Sequence, residues 1–447
     1  MNYPSRRFGF LRDLLKFKNG REGRLKLMTV VAASSLLIVS HSRSPVEAAL
    51  EDSPKNIVDE VWQIVHSEFV DPDFNHVDWQ IKRQELLQKD YTGQKSAYEA
   101  IRQSLKGLGD PYTRFLEPKE FDELTSQTSG ELSGVGIRLA INEKTSKLTV
   151  VEPIPNSPAS KAGIKPGDHI VRINDKPTEL MTIDQASAEI KGEVGTEVSL
   201  QIVRNEKPPF DLVLERAQIE LPSVTYNLNQ EQNSKVGYIR LDEFSSHAAE
   251  QMQLAIEDLT KKQASGFVLD LRGNPGGLLF SGVEIARMWM EKGAIVSTID
   301  RKGGNQKFSA NGQAITDLPL VVLVDGYSAS ASEILTGALK ENHRATVVGT
   351  RTYGKGTVQS VHSLSDGSGL AVTIAHYFPP SGIDINKKGI APDVQVNLTK
   401  EDQTKLSINP TLIGTKADPQ YAKAISVLQN PPLTKTNPAN FAPVTIR

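Results

Sequence analysis

The stretch LPLVVLVDGYSASASEILTGALK, residues 318–340, sets the architecture. Its first nine residues are an almost continuous apolar run, the pattern of a strand buried on both faces rather than one. A serine-rich turn follows, and then a helix. GFVLDL (266–271) repeats the pattern, leading through a glycine-rich turn into another helix, and ATVVG (345–349) is a third strand. Strands alternating with helices predict an α/β core over residues 221–447.

The turn itself places three serines, Ser328, Ser330 and Ser332, before the helix. Ser330 and Glu333 fit S-x-x-E, so Ser330 is read as a helix cap. A second reading is chemical. At a helix N-terminus the free N–H groups and the dipole favour negative charge. A serine attacking from there finds an oxyanion donor in the N–H of Ala331. One hydroxyl cannot both cap tightly and attack freely, and a serine nucleophile needs a base.

No G-x-S-x-G occurs, which removes the α/β-hydrolase arrangement. The eight histidines are scattered, no two within seven residues, and His343, His362 and His376 read as structural. There is no cysteine, so neither disulfide nor thiol chemistry is available, and no local ligand cluster points to a metal. GTRTYGKGTVQ (349–359) supplies another candidate. It resembles the start of a phosphate-binding loop, but Gly356 stands where the magnesium-binding Ser/Thr belongs. Lys355 is then better read as a proton acceptor. Lysine titrates near pH 10.4 in water, and desolvation lowers that by several units. No acidic residue lies between 342 and 365, so the local setting is uncharged.

Upstream, IVDEVWQIVHSEFV (57–70) and SAYEAIRQSLKGLG (96–109) have helical apolar spacing, giving a helical region over 50–126. Residues 127–220 switch to short strands and two short helices. Here S-G-V-G-I and SPASKAGIKPGDHIVRIND (157–175) resemble a bacterial PDZ domain. Consecutive N–H groups at Gly134, Val135, Gly136 and Ile137 would hold a peptide carboxylate, while helix 183–191 walls a groove for an added strand. The plainer reading of Gly134 and Gly136 is a tight turn.

The first 26 residues carry eight Lys/Arg against two acidic residues; LMTVVAASSLLIV (27–39) is apolar, and VEAA (46–49) offers a cleavage site. Thirteen apolar residues are short for a hydrocarbon core of roughly 30 Å. They suit a signal peptide over 1–49, with an uncleaved anchor as the alternative and Arg6-Arg7 as a twin-arginine hint. Its removal takes nine of 51 Lys/Arg and three of 53 Asp/Glu, leaving 42 and 50 and a net charge of −8. Such an acidic chain does not suit nucleic acid.

Three further features complete the pattern. Lys355 follows Ser330 by 25 residues within Y-G-K-G-x-V-Q; D-L-R-x-N-P-G-G spans Asp270–Gly277; and Y-x-x-P-S-G…G-I-x-P-D spans Tyr377–Asp393. Together with S-A-S-A-S-E-I they resemble the carboxyl-terminal processing (tail-specific) proteases. That resemblance covers nearly all of the chain beyond the signal. It implies an α/β protease core (ClpP/crotonase-like) with an inserted PDZ domain and an N-terminal helical segment. It implies a Ser–Lys dyad without cofactor: Ser330 as nucleophile, Lys355 as general base, and Gln359 orienting the lysine. Four residues of spacing would put Lys355 and Gln359 on one face if the segment is helical. The oxyanion donors would be the N–H groups of Gly276 and Ala331. Substrates would be proteins held by their C-terminal tails, with no nucleotide and with membrane contact only through substrate or an uncleaved signal. FVDPDFNHVDWQIKRQELL (69–87) and DPYTRFLEPKEF (110–121) resemble the photosynthetic branch, which trims a photosystem II core-protein precursor. A cyanobacterial periplasm or thylakoid lumen is the implied location. The alternatives are a non-catalytic PDZ scaffold with a protease-like core, and a nucleotide-dependent enzyme using the near P-loop.

Overall fold

A computed structural model describes residues 53–430 apart from 143–144, 206 and 233. The expected signal segment and residues 431–447 of the C-terminal extension lie outside the described residues.

The apolar runs form a six-stranded sheet. Its spatial order is Val224–Glu231, Ser234–Leu241, Gly266–Asp270, Leu320–Val324, Thr346–Gly349 and Val394–Gln395. The first two strands make an antiparallel pair, and every later neighbouring pair is parallel. Gly266–Asp270 and Leu320–Val324 are buried at every position, which is why their sequences do not alternate. Helices Ala248–Lys261, Leu279–Trp289 and Ala331–Glu341 cover one face, where Met252, Ile285 and Leu335 pack with Leu269 and Val322. Helix Pro419–Gln429 covers the other, with Tyr421 and Ala424 against Val268 and Val321. A buried ion cluster fixes that helix. Arg272 donates to Asp270 Oδ1 (2.9 Å) and Asp418 Oδ2 (2.7 Å). Buried charges persist when they are paired in this way or are held by several hydrogen bonds.

A second, wholly antiparallel sheet was not evident from the sequence. Gly369–Phe378 is its spine, flanked on one edge by Thr357–Ser363 and on the other by Arg114–Leu116 and Ala294–Asp300; Asn305–Ser309 completes it. Helices Pro54–Glu68, Trp79–Gln88 and Gln94–Gly107 pack on this sheet, burying Trp62, Ile101 and Leu105 with Leu370 and Val372.

Residues between the two contain a third sheet, ordered Ile137–Ile141, Leu148–Pro153, His169–Ile173, Glu197–Val203, Phe210–Glu215. Val150, Ile170 and Leu200 are in its own core. Ile137–Ile141 is an edge strand, and helix Ile183–Ile190 packs beside it. A short ribbon, Glu131–Gly134 antiparallel to Ala217–Glu220, joins this unit to the core. At the root of the ribbon Leu221 N–H donates to Gly130 O at 2.7 Å, so the chain leaves and returns at one place. Among the described residues no helix is long and apolar enough to cross a membrane.

Candidate active site

Parallel α/β sheets open their crevices at the carboxyl ends of the strands. Two turns meet there: 271–277 after Gly266–Asp270, and 325–330 after Leu320–Val324. They line a cavity of roughly 610 Å3 with Ser330, Lys355, Gln359, Gly276, Tyr112 and Arg114 on its walls.

The three serines of the turn have different surroundings. Ser328 is fully buried, donating to Leu271 O (2.8 Å) and accepting from Asp325 N–H (3.0 Å). Ser332 is fully buried and donates to Asn274 O at 3.0 Å. Ser330 is half-buried on the cavity wall and forms a capping box with Glu333, as the S-x-x-E pattern predicts, but its hydroxyl is held by no cap hydrogen bond of normal geometry. Its backbone does the capping instead. Ser330 O accepts from Glu333 N–H (2.8 Å) and Ile334 N–H (2.9 Å), while Ser330 N–H donates to Glu333 Oε2 (3.0 Å). The competition between capping and attack expected from the sequence is thus resolved toward a loosely held hydroxyl. Ser330 also has φ 53° and ψ −117°, a region that costs a non-glycine residue about 1–3 kcal/mol. Its neighbours hold it there: Ala329 N–H donates to Asn274 O (3.1 Å) and Tyr377 O–H donates to Ser330 O (3.2 Å).

Lys355 follows the loop from Gly349 and is half-buried on the same cavity. Its ammonium makes no hydrogen bond or ion pair among the described residues and lies 5.0 Å from the centre of the Tyr112 ring. Burial lowers its pKa from the ordinary lysine value, and the Arg114 charge lowers it further; Asp110 and Glu333 pull in the opposite direction. The setting is thus not uncharged, contrary to the local sequence. Arg114 and Asp110 arrive from more than 200 residues away, at the start of the second sheet. Asp110 is held there by Thr113 Oγ1 (2.7 Å) and Thr373 Oγ1 (2.6 Å).

The loop does not form a phosphate cradle. Gly354 N–H and Lys355 N–H donate to Glu333 at 2.7 and 2.9 Å, and Gly356 N–H donates to Asn386 Oδ1 at 3.4 Å.

Gln359 requires a correction. The segment is not helical: Gln359 lies in strand Thr357–Ser363, just past a bulge at Val358/Gln359. Its Nε2 donates to Thr357 Oγ1 (2.8 Å) and Thr373 Oγ1 (3.4 Å), not to Lys355. The β-branched Thr357 and Val358 favour extended backbone, which the i,i+4 reading overlooked.

Gly276 has φ +106°, and a Cβ there would stand 2.7 Å from Ser330 Cβ and 2.9 Å from Ala331 N. The turn thus packs directly on the Ser330–Ala331 segment. Gly276 N–H donates to Asn274 Oδ1 at 2.8 Å, however, and would have to share that proton to serve as an oxyanion donor. Ala331 N–H, first in its helix, has no partner among the described residues.

In the third sheet's unit, Gly134, Val135 and Gly136 are buried and Ile137 is half-buried at the start of the edge strand. Gly136 has φ +78° and abuts Ser157, where a Cβ would lie 2.3 Å from Ser157 Cβ. Glycine is required here by packing as well as by any role in binding.

Sequence reasoning did not identify Glu333 as more than a cap partner, nor Tyr112, Arg114, Thr352 and Tyr377 as site residues. Glu333 carried a signal, an acidic side chain on an otherwise apolar helix start.

The family profile of peptidase family S41 matches residues 235–396, and that of the PDZ domain matches 149–204. The carboxyl-terminal-processing protease of Synechocystis sp. is 42% identical over 369 residues, 82% of this chain and 85% of the relative. That of Picosynechococcus sp. is 41% identical over 400 residues, 88% of this chain and 94% of the relative. A solved photosystem II D1 C-terminal processing protease superposes with a TM-score of 0.51 at 36% identity, covering 83% of this chain and 99% of that one. Fold, PDZ unit and long-range identity agree: the chain belongs to peptidase family S41, among its carboxyl-terminal-processing proteases.

Proposed function

We propose that this protein is a serine endopeptidase using a Ser330–Lys355 dyad. Neutral Lys355 takes the proton from Ser330 Oγ as the hydroxyl attacks the scissile carbonyl. The oxyanion that forms is stabilised by Ala331 N–H, with Gly276 N–H as second donor. Protonated Lys355 returns the proton to the leaving amine, giving an acyl-enzyme. It then takes a proton from water, which hydrolyses the ester and frees Ser330. Gln359 acts on Lys355 only indirectly: its amide donates to Thr373 Oγ1, which in turn donates to Asp110, one of the charges acting on the lysine.

The observation that carries this reading is the pairing of two costly features on one cavity. Ser330 is strained with an uncommitted hydroxyl, and Lys355 is desolvated with no counter-ion bonded to its ammonium. Ser330→Ala and Lys355→Ala are each expected to abolish peptide cleavage with the fold intact by circular dichroism, and chelators to have no effect. Ser328→Ala and Ser332→Ala lose buried hydrogen bonds worth about 1 kcal/mol each and keep most activity. Activity should rise with pH through the lysine's lowered pKa, because only the neutral amine accepts a proton. Normal turnover by Ser330→Ala would sink the dyad.

The edge strand Ile137–Ile141 is proposed to recruit a substrate's C-terminal tail by strand addition, with its carboxylate at 134–137. The similarity to a D1 processing protease and to cyanobacterial and chloroplast relatives supports a lumenal or periplasmic substrate, with a photosystem II core-protein precursor the first candidate. The basic and apolar segments of 1–49 support export.

A further inference from the structure

Glu333 is fully buried and forms no ion pair among the described residues; burial raises its pKa above the usual carboxylate value, and the hydrogen bonds it accepts pull in the opposite direction, toward the ionised form. Its carboxylate instead accepts four hydrogen bonds, all from uncharged donors. Oε1 takes Thr352 Oγ1 (2.6 Å) and Gly354 N–H (2.7 Å). Oε2 takes Ser330 N–H (3.0 Å) and Lys355 N–H (2.9 Å). One oxygen therefore bridges the backbones of the two residues assigned to the dyad, 25 positions apart in sequence. Thr352 extends the grip, since its hydroxyl also accepts from Ile390 N–H at 2.7 Å. A helix cap needs only one of these four bonds; the other three belong to the lysine loop. A desolvated carboxylate is expensive without compensation, and a simple cap would not require it.

We propose that Glu333 is a positioning residue for the reaction: its ionised carboxylate holds the lysine loop against the nucleophile turn and keeps the Ser330–Lys355 approach in register. The proposal rests on the dyad reading. Two properties follow. All four bonds need the ionised form, because a proton on either oxygen replaces an acceptor with a donor. The negative charge also acts on Lys355. The charged and titratable groups around that lysine are Glu333 from the helix, Asp110, Tyr112 and Arg114 from the loop and strand before it, and Tyr377 from Gly369–Phe378. Glu333 and Asp110 favour the ammonium, and Arg114 opposes it. Removing the Glu333 charge therefore makes Lys355 easier to deprotonate.

The test uses the full-length enzyme with a cleavable peptide. Glu333→Gln keeps the shape but presents an amide donor to one pair of N–H groups. It should lower kcat by roughly 10²-fold, the cost of a displacement near 1 Å, with KM little changed. Its acid limb should move to lower pH. Thr352→Val keeps the charge and removes one donor, so kcat should fall by about tenfold with the limb unmoved. A purely structural glutamate would cost stability and shift the limb through its charge alone, leaving the plateau kcat at the parent value. Glu333→Gln at the parent rate, or slowed with its acid limb unmoved, overturns the proposal. Should Glu333→Gln fail to fold, Thr352→Val still decides: parent-like kcat overturns the proposal, and a loss in kcat at constant KM upholds it. Failure of the dyad itself would appear elsewhere, as activity in Ser330→Ala.

Discussion

At Gly276 one methyl group would decide how the glycine turn meets the proposed nucleophile, Ser330. The backbone there has φ +106°, and a Cβ would press on Ser330 and Ala331 at 2.7–2.9 Å. Gly276→Ala should destabilise the protein by about 1–3 kcal/mol through the strained backbone. By pushing its N–H out of place it should also cut kcat by roughly 10²-fold, as an impaired oxyanion donor does. Thermal melting and steady-state kinetics measure the two effects separately, and a variant with unchanged kcat would remove Gly276 from the oxyanion hole. Ser330 and Lys355 stand out in the sequence because each sits in a compact local pattern, and the structure puts both on one cavity. The charges that tune the lysine do not stand out. Arg114 and Asp110 reach it only because the second sheet folds residues 110–116 against Gly369–Phe378, and no window of sequence contains both partners. Glu333 was visible as a cap, but its bonds to Thr352, Gly354 and Lys355 required the loop to fold back.

The elements read most securely were the buried parallel strands, whose unbroken apolar runs admit few alternatives. Thr357–Ser363 misled because spacing of four was tested against a helix, whereas the chain is extended with a bulge. The antiparallel sheet escaped because its strands come from separated stretches, 114–116, 294–309 and 357–378, and its spine is buried at most positions rather than alternating. The edge strand Ile137–Ile141 carries a prediction of its own. Strand addition fixes a peptide through its backbone, so discrimination falls to the carboxylate and the last side chain. Peptides with a free C-terminus and an apolar or small last residue should be cleaved well. Amidation of the same peptides should lower kcat/KM strongly. Equal cleavage of free and amidated forms would reassign this unit from recruitment to structure.

For the chain as a whole, the sequence order of helical region, PDZ unit and core corresponds to three sheets and their helices, while the expected N-terminal signal rests on charge and hydropathy alone. Protein from its native compartment should begin near Leu50, and N-terminal sequencing that finds Met1 on membrane-bound protein would mean an anchor instead. The root of the ribbon has a consequence for lineage and for engineering. Gly130 and Leu221 are bonded neighbours, so everything between them is a cassette plugged into a socket one hydrogen bond wide. A core lacking the cassette would need only a short splice across that socket, with no cut through a sheet or helix of the protease. The same socket would accept a foreign domain with adjacent termini, so under the proposed recruitment role the tail bound and the bond cut can diversify independently.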